Sequence, residues 1–180
     1  MQRVLVGYAT RAGSTAEVSG IIADELRARG FDVVVADLRD DPDPAGFDGF
    51  VLGSATQALT WLPESLTWLR DHGRQVGRAA LFNLSITAVD PTKQDVALGH
   101  NKAASELVEA SAQAAFAGRY APKKVGFFKR LLLRVLAKKP ADHVDPPAIR
   151  AWARGLDLTR TNETPRGNGT PTPGVPRARP

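Results

Sequence analysis

The sequence predicts an α/β domain built on a doubly wound, five-stranded parallel sheet with helices on both faces, for which 2-1-3-4-5 is the first candidate strand order. Three observations carry this. Short runs of β-branched residues alternate with stretches of helical periodicity over residues 1–158. The junctions between them hold Gly, Ser, Thr, Asp and Pro, which end strands and start helices. Strands joined through helices run parallel by right-handed crossovers, and their sheet is covered on both sides.

Each element follows in chain order. RVLVGYA, residues 3–9, is the first strand; TRAGST follows, then Val18, Ile21, Ile22 and Leu26 at helical spacing. That helix starts near Gly13 or Ser14 and stops at Gly30, a residue suited to the left-handed conformation after a C-terminus. FDVVVADL, residues 31–38, is the second strand, with a Pro- and Asp-rich connection over 39–48. GFVLGS, residues 49–54, is the third, and Pro63 opens a helix carrying Leu66, Trp68 and Leu69. Residues 78–85 form the fourth strand. After the Asp90-Pro91 turn a long Ala-rich helix is expected over 94–112, then a fifth strand in AFAGRY, residues 115–120. Pro146-Pro147 start a last helix with Ile149, Trp152, Ala153 and Leu156.

Composition narrows the chemistry. The 180-residue chain has no cysteine, which excludes disulfides, thiolate metal sites, iron–sulfur clusters and cysteine nucleophiles. MQRVLVGYAT enters a strand directly and lacks the pattern of an export signal, and no apolar run is long enough to span a bilayer, so a cytoplasmic location is expected. The net charge of +5 is unevenly spread: residues 1–118 carry −5, whereas residues 119–139 carry +8 with no acidic side chain. From 159 to 180 the chain turns to Pro, Gly and Thr with a single aliphatic residue, and a disordered tail is expected there. The Asn-x-Thr triplets at Asn162 and Asn168 are read as chance in a chain without a signal peptide.

The strongest chemical signal is the loop after the first strand. In an open parallel sheet ligands sit beyond the carboxyl ends of the strands, where the strand order reverses, and this loop lies there. Thr10, Ser14 and Thr15 offer hydroxyls, Gly13 permits close backbone approach, and a helix N-terminus adds unpaired N–H groups and partial positive charge. These features suit a phosphate monoester, and Arg11 could add charge or point into solvent. The competing structural reading is a polar strand-to-helix turn with Ser14 as N-cap. Neither a P-loop nor a dinucleotide fingerprint is present. His72, His100 and His143 are scattered without metal-ligand spacing and read as surface histidines, and Asp40, Asp41 and Asp43 as a hydrophilic loop. No serine lies in a nucleophile elbow.

YATRAGST after an N-terminal strand resembles the phosphate loop of flavodoxins, with its T-x-x-G-x-T pattern. More closely, the chain resembles the flavodoxin-like, menaquinone-dependent protoporphyrinogen oxidases, through Arg11 and through a basic, aromatic and aliphatic insert before the last helix. The resemblance covers roughly residues 3–156 and implies a flavodoxin-like domain over 1–158 holding flavin mononucleotide (FMN). It places the phosphate on Thr10, Arg11, Ala12, Gly13, Ser14 and Thr15, and the ring beside two further loops. Those loops contribute Ser54, Ala55, Thr56, Gln57 and Trp61 after the third strand, and Asn83 and Ser85 after the fourth. Trp61 either stacks on the flavin or packs in the core; Trp68 and Trp152 read as core. Two departures from the family stand out: Leu59 where it tends to have Gly, and no aromatic in the third loop after Phe82.

Three functions follow from this resemblance. The leading one is a flavoenzyme passing electrons from a reduced substrate, with protoporphyrinogen as candidate, to a quinone. The alternatives are an electron-transfer flavodoxin and a cofactor-free interaction domain. The segment 119–139 wound as a helix from Phe127 gathers Phe127, Phe128, Leu131, Leu132, Val135 and Leu136 on one side and Lys129, Arg130, Arg134 and Lys138 on the other. That pattern suits a helix that packs its apolar face on the domain with its basic residues solvated, or one lying on an anionic membrane surface, peripheral to the inner face of the cell membrane; the concentration of charge favours the second. Its many aliphatics speak against nucleic acid.

Overall fold

Strands of this chain are apolar at nearly every position because both sheet faces are covered. The computed structural model describes residues 1–118 and 143–158; the expected basic helix within 119–139 and the tail 159–180 lie outside the described residues. In chain order the elements are β1 (Arg3–Ala9), α1 (Ser14–Ala28), β2 (Asp32–Asp37), β3 (Gly49–Gln57), β4 (Thr60–Trp61), α2 (Pro63–Val76), β5 (Arg78–Ser85), α3 (Gln94–Gly99), α4 (Lys102–Ser105), β6 (Glu109–Ala117) and α5 (Pro146–Arg154). The parallel strands lie in the order β2-β1-β3-β5-β6, and the two-residue β4 pairs antiparallel with β3. With β4 set aside this is the expected 2-1-3-4-5 order.

Alternation of side chains along each strand divides the core into two layers. Val4 and Val6 of β1, Val51 of β3 and Phe82 of β5 pack with Val18, Ile22 and Leu26 of α1 and with Ile149 and Ala153 of α5. Leu5, Phe50, Leu52 and Leu81 face the other way, onto Trp68 and Leu69 of α2 and Ala104 of α4. Gly53 serves this packing directly, since a Cβ there would lie 2.0 Å from Phe82 Cζ.

The last helix is fastened to the first by charge as well as by apolar contact. The Arg29 guanidinium donates to the carbonyls of Ala153 at 2.7 Å and Leu156 at 2.9 Å, which satisfies acceptors that the end of α5 leaves open. Glu25, nearly buried on α1, accepts from Arg154 Nε at 2.7 Å and lies 3.7 Å from Arg150.

The long helix expected over 94–112 is not formed. α3 stops at Gly99, α4 spans only Lys102–Ser105, and residues 109–112 belong to β6. Alanine favours a helix locally, but here Glu109 and Ala110 pair with Arg78 and Ala79 in the sheet, and that tertiary ladder outweighs propensity. An irregularity between Ala79 and Ala80 absorbs the register shift that follows. The fifth parallel strand therefore begins six residues earlier than the AFAGRY reading and ends at Ala117. β3 also outruns its expected end at Ser54 by three residues, because Thr56 and Gln57 pair with Trp61 and Thr60 in a hairpin.

Candidate functional site

The loop between β1 and α1 is shaped by a left-handed glycine. Gly13 has φ +91° and is the N-cap of α1, while its N–H donates to Thr10 Oγ1 at 2.9 Å. A Cβ at Gly13 would meet nothing within 4 Å, so the backbone conformation and not crowding calls for glycine there. Helix α1 opens with Glu17 N–H donating to the Gly13 carbonyl at 3.1 Å, and no side chain caps it. The reading of Ser14 as N-cap is thereby corrected: Ser14 is the first helical residue and its hydroxyl does not cap. The Thr15 hydroxyl is fully buried and has no hydrogen-bond partner. An uncapped N-terminus of a 15-residue helix and an unpaired hydroxyl thus share one loop. Gly118, just past the end of β6, borders the loop, since its Cβ position lies 3.7 Å from Ser14 Oγ.

Arg11 does not extend freely over this loop. Its guanidinium makes a two-pronged contact with Glu64 in the first turn of α2, with Nη2 donating to Oε2 at 3.0 Å and Nη1 bonded to Oε1. Burial opposes ionisation of Glu64, but a bond to its own backbone N–H, the Arg11 bond and the positive charges of Arg11 and Arg39 outweigh burial. The carboxyl is held below its ordinary value. Arg11 and Glu64 together brace the first loop against the start of α2. Ala12 is exposed at the loop's tip.

The second loop is the β3–β4 hairpin, and most of its polar groups are turned inward. Ser54 is fully buried; its Oγ donates to the Ala55 carbonyl at 2.8 Å and accepts from Leu62 N–H at 3.0 Å. Thr56 Oγ1 donates to the Leu84 carbonyl at 3.1 Å and ties β3 to β5. Gln57 is exposed and Ala55 half-buried. Trp61 is fully buried and its indole N–H donates to Asn101 Oδ1 at 2.9 Å. Of the two readings of Trp61, packing is therefore the one the structure adopts, and no ring surface is left for stacking. The turn carries Leu59, which is 71% exposed.

In the third loop, Asn83 and Ser85 serve the scaffold. Asn83 is fully buried and its Nδ2 donates to the Ala97 carbonyl at 2.9 Å and to Asn101 Oδ1 at 3.0 Å, while its Oδ1 has no partner. Ser85 Oγ accepts from Ala88 N–H at 3.3 Å. Asn101 completes a buried amide cluster by donating to the Ala114 carbonyl at 3.3 Å. This cluster joins β4, β5, β6 and the turn between α3 and α4. Sequence reasoning missed Asn101 and Glu64, and no local pattern flags residues whose partners lie 40 and 53 positions away.

The histidines differ from the surface reading as well. His72 Nε2 lies 2.8 Å from Asp41 Oδ1. His100 is buried with both ring nitrogens unpartnered, and its burial lowers its pKa. Among the described residues no group of three His, Asp or Glu side chains could hold a metal ion, and no helix is long and apolar enough to cross a membrane.

A family model of the flavodoxin domain matches residues 5–146. The chain belongs to the flavodoxin-domain family. Among solved structures it is similar to oxidised flavodoxin 1 from Bacillus cereus, at 17% identity and TM-score 0.56 over 87% of this chain and 100% of that one. A short-chain flavodoxin associated with a bacterial microcompartment matches at 16% identity and TM-score 0.55, over 87% and 97%. A mutant flavodoxin from Fusobacterium nucleatum bound to flavin mononucleotide matches at 14% identity and TM-score 0.53, over 86% and 94%. No curated protein matches the sequence. Identities this low establish the shared flavodoxin-like fold.

Proposed function

We propose that the chain binds FMN through its β1–α1 loop and transfers electrons through that cofactor. The observation that carries the reading is the buried, unpaired Thr15 hydroxyl at the uncapped N-terminus of α1. A buried hydroxyl without a partner is costly, and a phosphate oxygen would relieve it. Thr10 supports the same reading, because its oxygen already accepts from Gly13 N–H and its own proton remains to be donated. The residues present therefore fit a phosphate monoester: hydroxyls of Thr10, Ser14 and Thr15, together with first-turn amides, would hold it. Bound FMN would supply reversible one- and two-electron redox chemistry, and the protein's part is to position the ring and exclude competing reactions. The membership of the chain in the flavodoxin-domain family favours this cofactor over other phosphate esters.

The narrower reading is an oxidoreductase that passes electrons from a bulky reduced substrate of the protoporphyrinogen type to a quinone. It rests on the sequence resemblance around TRAGST and on the basic, aliphatic segment 119–139, which would hold the protein at an anionic membrane surface near a quinone pool.

The test is reconstitution with excess FMN, desalting, and an absorption spectrum from the near ultraviolet to the blue. A retained flavin spectrum and FMN released on denaturation are expected. A colourless protein refutes the cofactor reading. Supplying reduced porphyrinogen and a quinone together then separates the enzyme from a simple electron carrier, because only the enzyme turns them over.

A further inference from the structure

The turn joining β3 to β4 holds side chains where its backbone favours residues of the glycine and asparagine type. Ala58 has φ +50° and Leu59 φ +64°. Two successive positive φ values are the pattern of a type I′ hairpin, whose usual sequence is Asn-Gly. Left-handed backbone is unfavourable for an L-residue that carries a side chain. Leu59 recovers little of this by packing, because its side chain is 71% exposed. Ile86, the first residue beyond β5, is 64% exposed.

These two aliphatics lie just beyond the ends of neighbouring strands, β3 and β5. Ala55 pairs with Leu84, and the Thr56 hydroxyl bonds the Leu84 carbonyl, so the hairpin and the loop after β5 leave the sheet side by side. β1, whose loop carries the unpaired Thr15 hydroxyl, is the next strand on the other side of β3, with Ala9 opposite Ser54. The loops that carry the phosphate seat, Leu59 and Ile86 therefore leave three adjacent strands, β1, β3 and β5, at the carboxyl edge of the sheet. Strain and exposed apolar surface at one edge mark a binding site.

We infer that Leu59 and Ile86 are the walls of the flavin ring's seat, so that among the described residues the ring is gripped by aliphatic side chains. The inference rests on the FMN reading above. Among the described residues the exposed large hydrophobics are Met1, Val35, Leu59, Ile86, Val89 and Val96, none of them aromatic, while Trp61 is fully buried. The chemical consequence is specific. An excited flavin takes an electron from an indole or phenol in contact with it and loses its emission, whereas an alkyl side chain has no electron to give.

The experiment uses the full chain with FMN and measures affinity, emission of the bound flavin and thermal stability. Leu59→Gly is expected to raise stability by relieving the positive φ, and to weaken FMN binding by about tenfold through loss of the wall. Opposite signs in the two readouts separate a ligand contact from a merely structural residue. Ile86→Ser is expected to weaken binding similarly. Bound FMN should remain fluorescent in the wild type, and Leu59→Trp should quench it while retaining affinity. If Leu59→Gly binds FMN as tightly as the wild type or more tightly, Leu59 obstructs the ring and the inference is overturned; a dark wild-type complex overturns it too. Failure of the wild type to bind FMN at all refutes the cofactor reading and this inference together.

Discussion

Replacing Asn101 by Ala is expected to destabilise the protein by about 3 kcal/mol, because the change orphans donors that have no other partner. Asn101 is fully buried, and its Oδ1 accepts from Trp61 Nε1 at 2.9 Å and from Asn83 Nδ2 at 3.0 Å. Without that oxygen the indole N–H is left alone in the core, whereas Asn83 keeps its second bond, to the Ala97 carbonyl. The bond from Asn101 to the Ala114 carbonyl is the longest of the set at 3.3 Å and contributes least. Two orphaned N–H groups at roughly 1–3 kcal/mol each give about 2–6 kcal/mol, and water entering the vacated volume favours the lower half. The melting temperature should fall by about 6–12 °C for a domain of this size. Urea unfolding followed by circular dichroism and tryptophan emission measures the difference directly. Trp61→Phe removes the indole donor while Asn101 retains Asn83, so the double variant should be less destabilised than the sum of the singles by about 1 kcal/mol. A single-variant loss below about 0.5 kcal/mol, or strict additivity, would refute the cluster as a stabilising unit.

His100 is expected to make stability depend on pH. Burial lowers its folded pKa from the ordinary 6.5, so the unfolded chain binds the proton more readily; stability is complete above that value and declines as pH falls through it. His100→Leu should flatten the melting temperature in this window, and an unchanged profile would show that His100 does not cause it. Glu25 shifts in the same direction for a different reason. Its hydrogen bond with Arg154 lowers its pKa from 4.5 against the opposing effect of burial, so that bond stabilises the fold above 4.5 and is lost as pH falls through the folded value. Arg154→Ala should therefore lower the melting temperature at neutral pH and converge on the wild type in acid. For Arg11 and Glu64, with side chains 40% and 21% exposed, a double-mutant cycle with Arg11→Ala and Glu64→Gln should give a coupling of about 0.5 kcal/mol that shrinks in salt. Gly13→Ala should cost about 1–2 kcal/mol in stability from its positive φ alone, read by urea unfolding.

Local signals carried much of the architecture. The β1 and β5 bounds, the Pro63 start of α2, the Pro146 start of α5 and the Gly30 stop after α1 all follow from residues whose effect is short-ranged: β-branched runs, a proline at a first turn, a glycine with free φ. The parallel direction of the strands follows from alternation and crossover handedness, whereas their order came from the likeness to a known doubly wound sheet. The turn of the β1–α1 loop was equally legible, because Thr10, Gly13, Ser14 and Thr15 lie within six positions of one another and Gly13 takes the positive φ at the start of α1.

Residues whose role depends on distant partners were not legible. Residues 109–112 carry helix-favouring alanines, yet they form strand because β5 offers an open edge, and no neighbour in sequence announces that edge. Trp61 had two readings, and Asn101, 40 positions away, decided between them by accepting its indole proton in the core. Asn83, which the resemblance places beside the ring, spends its amide donors on Ala97 and Asn101, partners 14 and 18 positions away. Arg11 could have served a phosphate or solvent, and Glu64 fixes it as a brace. The sequence alone determined most of the elements and the turn that starts α1, since propensity and capping act over a few residues. Tertiary structure decided which polar side chains are consumed by the core and which keep an unpaired group, because a buried polar group must find its partner wherever the fold brings one.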